Sequence, residues 1–338
     1  MKIDFVIPWV DGGDPAWQEE KKQYYRKTEN REDVSDARYR DWDELKYWFR
    51  GIEQFAPWVN RIYFITNGQY PDWLNPKHEK LVWVRHEDYI PKEYLPTFSA
   101  NPIELNFHRI EGLSEYFVYF NDDMFLISPV SENDFFRNEL PCGLAIESPV
   151  TADTNDIFNH ILLNNCALLN SKYTRREFHK NAGSKRFPFC DPKGLITNAA
   201  MGILHREAFF GFAYFHLPSP FLKSILEDVW QDHKEELEKV CHNRFRSIND
   251  VNQYIFAERQ YVTGKYEPYP IRKNGFAFHL NDSNTERNNI QETCDAIAEK
   301  KYKMICVNEA HVVHFEETKS RINYAFEQIL SEKSSFEL

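Results

Sequence analysis

The sequence predicts an α/β fold with a mostly parallel sheet flanked by helices. Two observations carry this. Apolar runs of strand length alternate with amphipathic runs of helical period through residues 3–120. Each strand-like run ends in a Gly, Asn or Asp turn, as at Asp11–Asp14, Asn67-Gly68 and Asn121–Asp123. There is neither an internal repeat nor a low-complexity linker, so residues 1–338 read as a single α/β domain. Residues from about 131 to 215 read as a helical, partly basic insertion.

Ile3 to Val10 is the first strand, closed by Asp11, Gly12, Gly13, Asp14 and Pro15. Nucleotide-binding α/β folds often place their first loop at such a junction, although a plain strand-turn has the same signature. Residues 18–40 are strongly charged, as expected of a helix or an excursion outside the core. Asp41 and Glu44 then stand at capping-box spacing, before a helix with Leu45, Trp48, Phe49, Ile52 and Phe55 on one face. Ala56-Pro57 ends it. Arg61–Thr66 and Leu81–Arg85 are the next strands. Asn101 as N-cap, with Pro102 behind it, starts a short helix that carries His108 and Arg109 and stops at Gly112. These two basic residues either complement the helix C-terminus or face a phosphate at the end of the following strand.

That strand is Tyr116–Phe120, and it runs directly into Asn121, Asp122 and Asp123. Ligands of open α/β sheets bind beyond the carboxyl ends of strands. Two carboxylates there suit a hard divalent cation that can hold phosphate oxygens, and they equally suit a polar turn. Further on, Asp156–Leu169 is predicted helical, with Ile157, Ile161, Leu162, Ala167 and Leu168 on its packing side. The basic stretch Lys172–Arg186 is a solvated helix face or an acceptor surface. Ser219 as N-cap and Pro220 start a helix packed through Leu222, Ile225, Leu226 and Val229, which sets His216 just outside a helix N-terminus. Ser247 and Asp250 are spaced to cap another helix, with Arg244 and Arg246 immediately before it, a favourable place to hold phosphate. Gly275–Leu280 is an apolar stretch, and Tyr302–Val307 a late strand ending at Asn308-Glu309. A last helix packs through Ile322, Phe326, Ile329 and Leu330.

A hydrophobic fraction of 42% and a charged fraction of 28% are those of a globular chain. The net charge of -11 argues against nucleic acid as the main partner. Six scattered cysteines without a CxxC give neither a zinc signature nor a dense disulfide framework, so reduced thiols in a cytoplasmic protein are expected. The first residues turn polar too soon for a secretory segment, and no apolar run reaches transmembrane length. Peripheral attachment at the inner face of a membrane, through a polysaccharide assembly complex, stays compatible with these features.

Residues 3–17 (IDFVIPWVDGGDPAW), 43–75 and 95–125 resemble the first two conserved regions of the Stealth family. Residues 216–256 resemble its third region and MICVNEA at 304–310 its short fourth. The opening has IPWVDG where the family often has YTWVDG, and Asn308-Glu309 stands where Asn-Asp is usual. The resemblance implies a Rossmann-like, glycosyltransferase-A-like fold and a sugar-1-phosphate transferase of capsule or exopolysaccharide synthesis. Such an enzyme moves a hexose-1-phosphate, by family frequency N-acetylhexosamine-1-phosphate, from a UDP-sugar to a saccharide hydroxyl and releases UMP.

On that basis Asp122 and Asp123 are the expected ligands of Mg²⁺ or Mn²⁺, with Asn308 completing the shell. His216 is the expected general base, since imidazole titrates near neutrality. Arg246 is expected to steady the transferring phosphate, with Arg109 a second candidate. Trp9, Asp11, Gly12 and Asp14 of the first loop, together with Asn67, are expected to hold the nucleoside. Two alternatives stand beside this reading: a conventional metal-dependent glycosyltransferase releasing UDP, and a nucleotide-sugar-binding scaffold. A scaffold has no need of a base such as His216.

Overall fold

The computed structural model describes residues 1–25, 32–33, 40–154, 156–204, 206–283 and 287–338, the backbone alone at 32–33. In chain order its main elements are β1 (Ile3–Pro8), α1 (Pro15–Tyr25), α2 (Leu45–Phe55), β2 (Ile62–Thr66), β3 (Leu81–Arg85), α3 (Ala100–Leu105), β4 (Tyr116–Tyr119) and β5 (Met124–Leu126). There follow α4 (Ile157–Lys172), α5 (Arg175–Ala182), α6 (Pro192–Gly202), β6 (Ser219–Leu222), α7 (Lys223–Asp232), α8 (Lys234–Cys241) and α9 (Tyr254–Val262). The chain closes with β7 (Gly275–Asn281), α10 (Ile290–Ala298), β8 (Met304–His311) and α11 (Phe315–Ile329).

The first sheet has the order β3-β2-β1-β4-β6. Its first four strands are parallel, with Phe5 opposite Ile62 and Ile3 opposite Tyr116, and β6 closes the edge antiparallel to β4. Strand order therefore reverses between β1 and β4, and the crevice beyond the ends of those two strands is where such sheets bind ligands. The second sheet is β7-β8-β5, with β7 and β8 parallel and β5 antiparallel to β8.

The chain passes from the first sheet to the second within Phe120–Met124. Phe120 N donates to Val6 O at 2.8 Å on the β1 side, and Val307 N donates to Asp123 O at 2.8 Å on the β8 side. The Asn121–Asp123 turn is thus clamped between two sheets. Helix α2 covers the junction with buried Leu45, Trp48, Phe49, Ile52 and Phe55, each such side chain stabilising by about 1.5–3 kcal/mol. A Cβ at Gly51 would stand 2.8 Å from the Leu126 carbonyl oxygen, so glycine lets α2 lie directly on β5.

Residues 131–215 carry a short hairpin (Phe136–Arg137 with Leu140–Gly143) and then α4, α5 and α6. Their apolar side chains, among them Cys166, Leu169, Phe178 and Phe212, gather with Tyr261, Val262 and Tyr266 in a cluster separate from the main core.

Several local expectations are corrected. Glu44 occupies the N-cap position of α2 without a capping hydrogen bond from its side chain. Helix α3 is capped by Ser99, which accepts from Asn101 N, and His108 and Arg109 fall in a separate 3-10 turn. Ser219–Leu222 is strand β6, not a helix start, because pairing with β4 satisfies its backbone. Helix α9 begins at Tyr254, since Ser247–Asp250 instead closes a turn in which Ser247 N donates to Asp250 Oδ2 at 2.9 Å. Ala167 faces solvent, and β8 continues past Asn308-Glu309 to His311. Of the charged stretch 18–40, α1 accounts for the start, and residues 26–31 and 34–39 lie outside the described residues.

Candidate active site

A cavity of about 450 Å³ opens at the β1/β4 switch point, within the size range of small-molecule sites. Trp9 and Val10 from the end of β1 line one side, Asn67 from the end of β2 another, and Asn121, Asp122 and Asp123 the floor. Arg40, Asp41, Glu44, Thr97, Ser99, Arg246, Asn308 and Glu309 are among the other wall residues.

Asp123 links the two sheets. Its Oδ2 accepts from Asn308 Nδ2 at 2.9 Å, and its Oδ1 is buried with no hydrogen-bond partner among the described residues. His216 Nε2 lies 3.8 Å from that same Oδ1. On the other side of the ring, His216 Nδ1 is 3.5 Å from Cys306 Sγ. Asp122 is wetted by the cavity but crowded by protein elsewhere, and that crowding, with the charge of Asp123, pushes its carboxyl up to about 7. Glu44 is 5% exposed, and its Oε1 also lacks a hydrogen-bond partner among the described residues. Burial first, then the charges of Asp123, Asp122 and Asp41, hold its carboxyl well above the usual range.

Those orphaned oxygens test whether a cation fits. Glu44 Oε1 and Asp123 Oδ1 are buried acceptors without a partner among the described residues, and Asp122 and Asn308 line the same cavity, so its donors are oxygens of the kind Mg²⁺ or Mn²⁺ takes. Asp123, His216 and Cys306 also bring ligand atoms within 4.8 Å of one another. Burial and then the Asp123 charge raise the Cys306 thiol well above its ordinary value, so it stays protonated and is a poor ligand.

Arg246 reaches the cavity from the strand-like pair Arg246–Ser247, which joins Glu32–Asp33. Its turn is pinned by Asp250, which accepts from Asn101 Nδ2 at 2.8 Å and Asn243 Nδ2 at 2.6 Å as well as from Ser247. Beside Arg246 is buried Glu104 of α3. Burial pushes Glu104 up to about 7, while a 2.5 Å hydrogen bond from the Tyr119 hydroxyl and the Arg246 charge pull the other way.

The remaining expected residues divide. Trp9 lies on the wall, stacked at 5.8 Å on Phe64, and Asn67 lies there too. Asp11, Gly12 and Asp14 shape the loop rather than line the cavity. Asp11 Oδ1 accepts from Gly13 N, Gly12 O accepts from Gln18, and Asp14 caps Ala16. Gln69 holds that loop by accepting from Asp11 N at 2.9 Å and donating to Asp11 O and Asp14 Oδ2. These bonds, the Gln69 side chain first, keep Asp14 below the usual carboxylate range. Arg109 is turned away, its guanidinium 4.9 Å from the Trp230 ring and its Nε on Asn106. His216 is not on the cavity wall and reaches the site through Asp123. Sequence reasoning missed Glu44, Glu104 and Gln69. Glu44 reads there as an ordinary helix-start residue, and no local pattern marks Glu104 as a neighbour of Arg246 or Gln69 as the tie between two loops.

Likeness to known proteins gives the class of the chain. Conserved regions 1, 2 and 3 of the Stealth proteins match residues 1–29, 38–142 and 215–263. The receptor polysaccharide phosphotransferase WefC of Streptococcus oralis is 40% identical, covering 100% of this chain and 99% of its own. The capsular polysaccharide phosphotransferase WcwK of Streptococcus pneumoniae is 39% identical over the same shares. The exopolysaccharide phosphotransferase cps2G of Lactiplantibacillus plantarum is 33% identical over 99% of this chain and 96% of its own. An apo structure of the bifunctional glycosyltransferase WbbM has a TM-score of 0.41 at 10% identity over 97% of this chain and 51% of that one, too loose a likeness to carry an argument. The chain is a transferase enzyme of the phosphotransferase class. It belongs to the Stealth family.

Proposed function

We propose that this enzyme transfers a hexose-1-phosphate, N-acetylhexosamine-1-phosphate in the first instance, from a UDP-sugar to a hydroxyl of a capsular or exopolysaccharide. The observation that supports it most is the convergence of Asp122, Asp123, Glu44, Asn308 and Arg246 on one cavity at the switch point. Phosphoryl transfer asks for this combination of charge neutralisation and positioning.

In this reading Trp9 and Asn67 hold the nucleoside in the cavity. The acceptor enters on the His216 side of Asp123, next to the insertion, where Phe158, Tyr214 and Tyr254 form an aromatic group with centroids 5.1–6.3 Å apart. The acceptor oxygen forms a bond to the phosphorus that carries the sugar. The bond from that phosphorus to the oxygen bridging it to UMP breaks, and UMP leaves. His216 takes the hydroxyl proton, and Asp123 at 3.8 Å stabilises the resulting imidazolium. Arg246 bears on the charge that builds on the transferring phosphate, and Glu104 orients Arg246. Mg²⁺ or Mn²⁺ held by Asp122, Asp123, Glu44 and Asn308 would neutralise the diphosphate when bound. The sugar C1–O bond is never cut, so anomeric configuration is retained.

The test is incubation with a panel of UDP-sugars and oligosaccharide acceptors, with chromatography of the nucleotide and phosphorus NMR of the product. UMP and a sugar–phosphate–sugar diester are expected. Stoichiometric UDP with a plain glycosidic product would replace this reading with ordinary glycosyl transfer.

A further inference from the structure

A second cavity, of about 60 Å³, lies between α9 and residues 212–221 and shares no lining residue with the main one. Helix α9 supplies Tyr254, Ala257, Glu258 and Tyr261, at i, i+3, i+4 and i+7, so these four side chains stand on one face of the helix. Phe215 and Leu217 also line the cavity, while His216 between them is directed to Asp123 instead. Tyr214 and Tyr254 belong both to this cavity and to the aromatic group with Phe158. The cavity is therefore continuous with the acceptor side of His216.

Several of its polar groups are already engaged. The Tyr261 hydroxyl accepts from Leu144 N at 3.4 Å, and the Tyr269 hydroxyl donates to Asp134 Oδ1 at 2.8 Å. The Gln260 amide accepts from Leu222 N and donates to Pro220 O. The carboxyl of Glu258 is not so engaged. Glu258 is 6% exposed, and its Oε2 has no hydrogen-bond partner among the described residues. Burial alone raises this carboxyl to about 8, so at neutral pH it keeps its proton and donates. A buried polar group without a partner is destabilising, and a ligand that bonds it removes the penalty.

Size and lining say what that ligand is. The cavity has room for about four water-sized groups. Aromatic walls with one convergent polar group suit a small, mostly apolar arm with one acceptor. An acetamido group matches on each count: its carbonyl oxygen accepts from the Glu258 carboxyl, and its methyl lies against the rings. An ammonium asks for an ionised carboxylate, which burial here opposes.

We propose that this cavity seats the acetamido group of an N-acetylated sugar in the acceptor, with Glu258 as the residue that reads it. It rests on the phosphotransfer reading only in calling that ligand the acceptor.

The experiment is ligand-observed NMR titration of the full chain, without UDP-sugar, with three short oligosaccharides that differ only at C2, as acetamido, hydroxyl or free amine. Wild type is expected to bind the acetamido form about tenfold more tightly than the hydroxyl form, the equivalent of one hydrogen bond to a buried group. Glu258→Ala should remove that difference, and Glu258→Gln should keep most of it, since the side-chain amide still donates. Ala257→Leu fills the cavity from the same helix face and should reproduce the loss with Glu258 in place. Equal affinity of wild type for all three forms, or an acetamido preference that Glu258→Ala and Ala257→Leu both leave intact, overturns the proposal. So does a preference for the free amine, which would make the cavity a cation site. The released nucleotide is a separate readout: acetamido selectivity with UDP release keeps the cavity and removes the phosphotransfer reading, and UMP release without selectivity does the reverse.

Discussion

Glu44 carries a carboxyl group into the interior with Oε1 unpaired among the described residues, an arrangement that costs about 1–3 kcal/mol when no partner arrives. Its neighbours Asp122 and Asp123 make ionisation harder still. A cation reverses both penalties, and it must displace the proton first. Replacing Glu44 by Gln should therefore weaken Mn²⁺ binding roughly tenfold and reduce the protons released on binding. Calorimetry in buffers of different ionisation enthalpy measures both, and unchanged proton release would remove Glu44 from the cation shell. Glu258 is a second buried carboxyl group, on α9 beneath the insertion. Burial alone pushes it up to about 8. Its folded value is above the unfolded one, so the folded state holds the extra proton and stability falls as pH rises between the two values. The window runs from the ordinary glutamate range to about 8. Glu258→Gln should accordingly raise Tm at pH 8.5 by several degrees and change it little at pH 4, as read by calorimetric scans.

At the scale of elements, what the sequence made legible is what local pattern controls. Strands β1, β2 and β3, the buried stripe of α2 and the turn after β4 follow from apolar runs and turn residues within a few positions. The starts expected at Ser219 and Ser247 did not, because the same cap-like residues serve two other purposes. Ser219–Leu222 finds its hydrogen bonds on β4, an edge known only once the sheet is assembled. Asp250 faces Asn101, 149 positions away in the chain, and so pins a turn instead of capping a helix. The site divides along the same line. Asp122, Asp123 and Arg246 were legible as polar residues at element ends, whereas Glu44, Glu104 and Gln69 gain their roles from what long-range packing sets against them. Asp250 offers the test at this scale. Asp250→Ala leaves Asn101, Asn243 and Ser247 without their common acceptor and should cost about 2–4 kcal/mol in stability. Turnover should fall further than stability explains, since Arg246 sits on that turn. Chemical denaturation combined with kcat at a temperature where the variant is fully folded separates the two effects.

Across the whole molecule, the cavity is assembled from parts far apart in sequence: Glu44 before α2, Asp122 and Asp123 between the sheets, and Asn308 in β8. A cation held by all of them ties the two sheets and α2 together, so it should stabilise the native state by linkage. At a concentration about 100 times its Kd that amounts to about 2.7 kcal/mol, a rise of several degrees in Tm for a chain of this size. Asp123→Asn should abolish the rise, because it removes the carboxylate that both sheets share. His216→Ala should behave differently. Its imidazole stands behind Asp123 rather than on the cavity wall, so the Mn²⁺-dependent rise should persist while turnover falls about 10²–10⁴-fold, the range for a lost general base. Melting curves with and without Mn²⁺, set beside kcat for both variants, distinguish a ligand from a base. If His216→Ala lost the thermal response together with turnover, the histidine would belong to the cation shell, and the proton of the acceptor hydroxyl would need another destination.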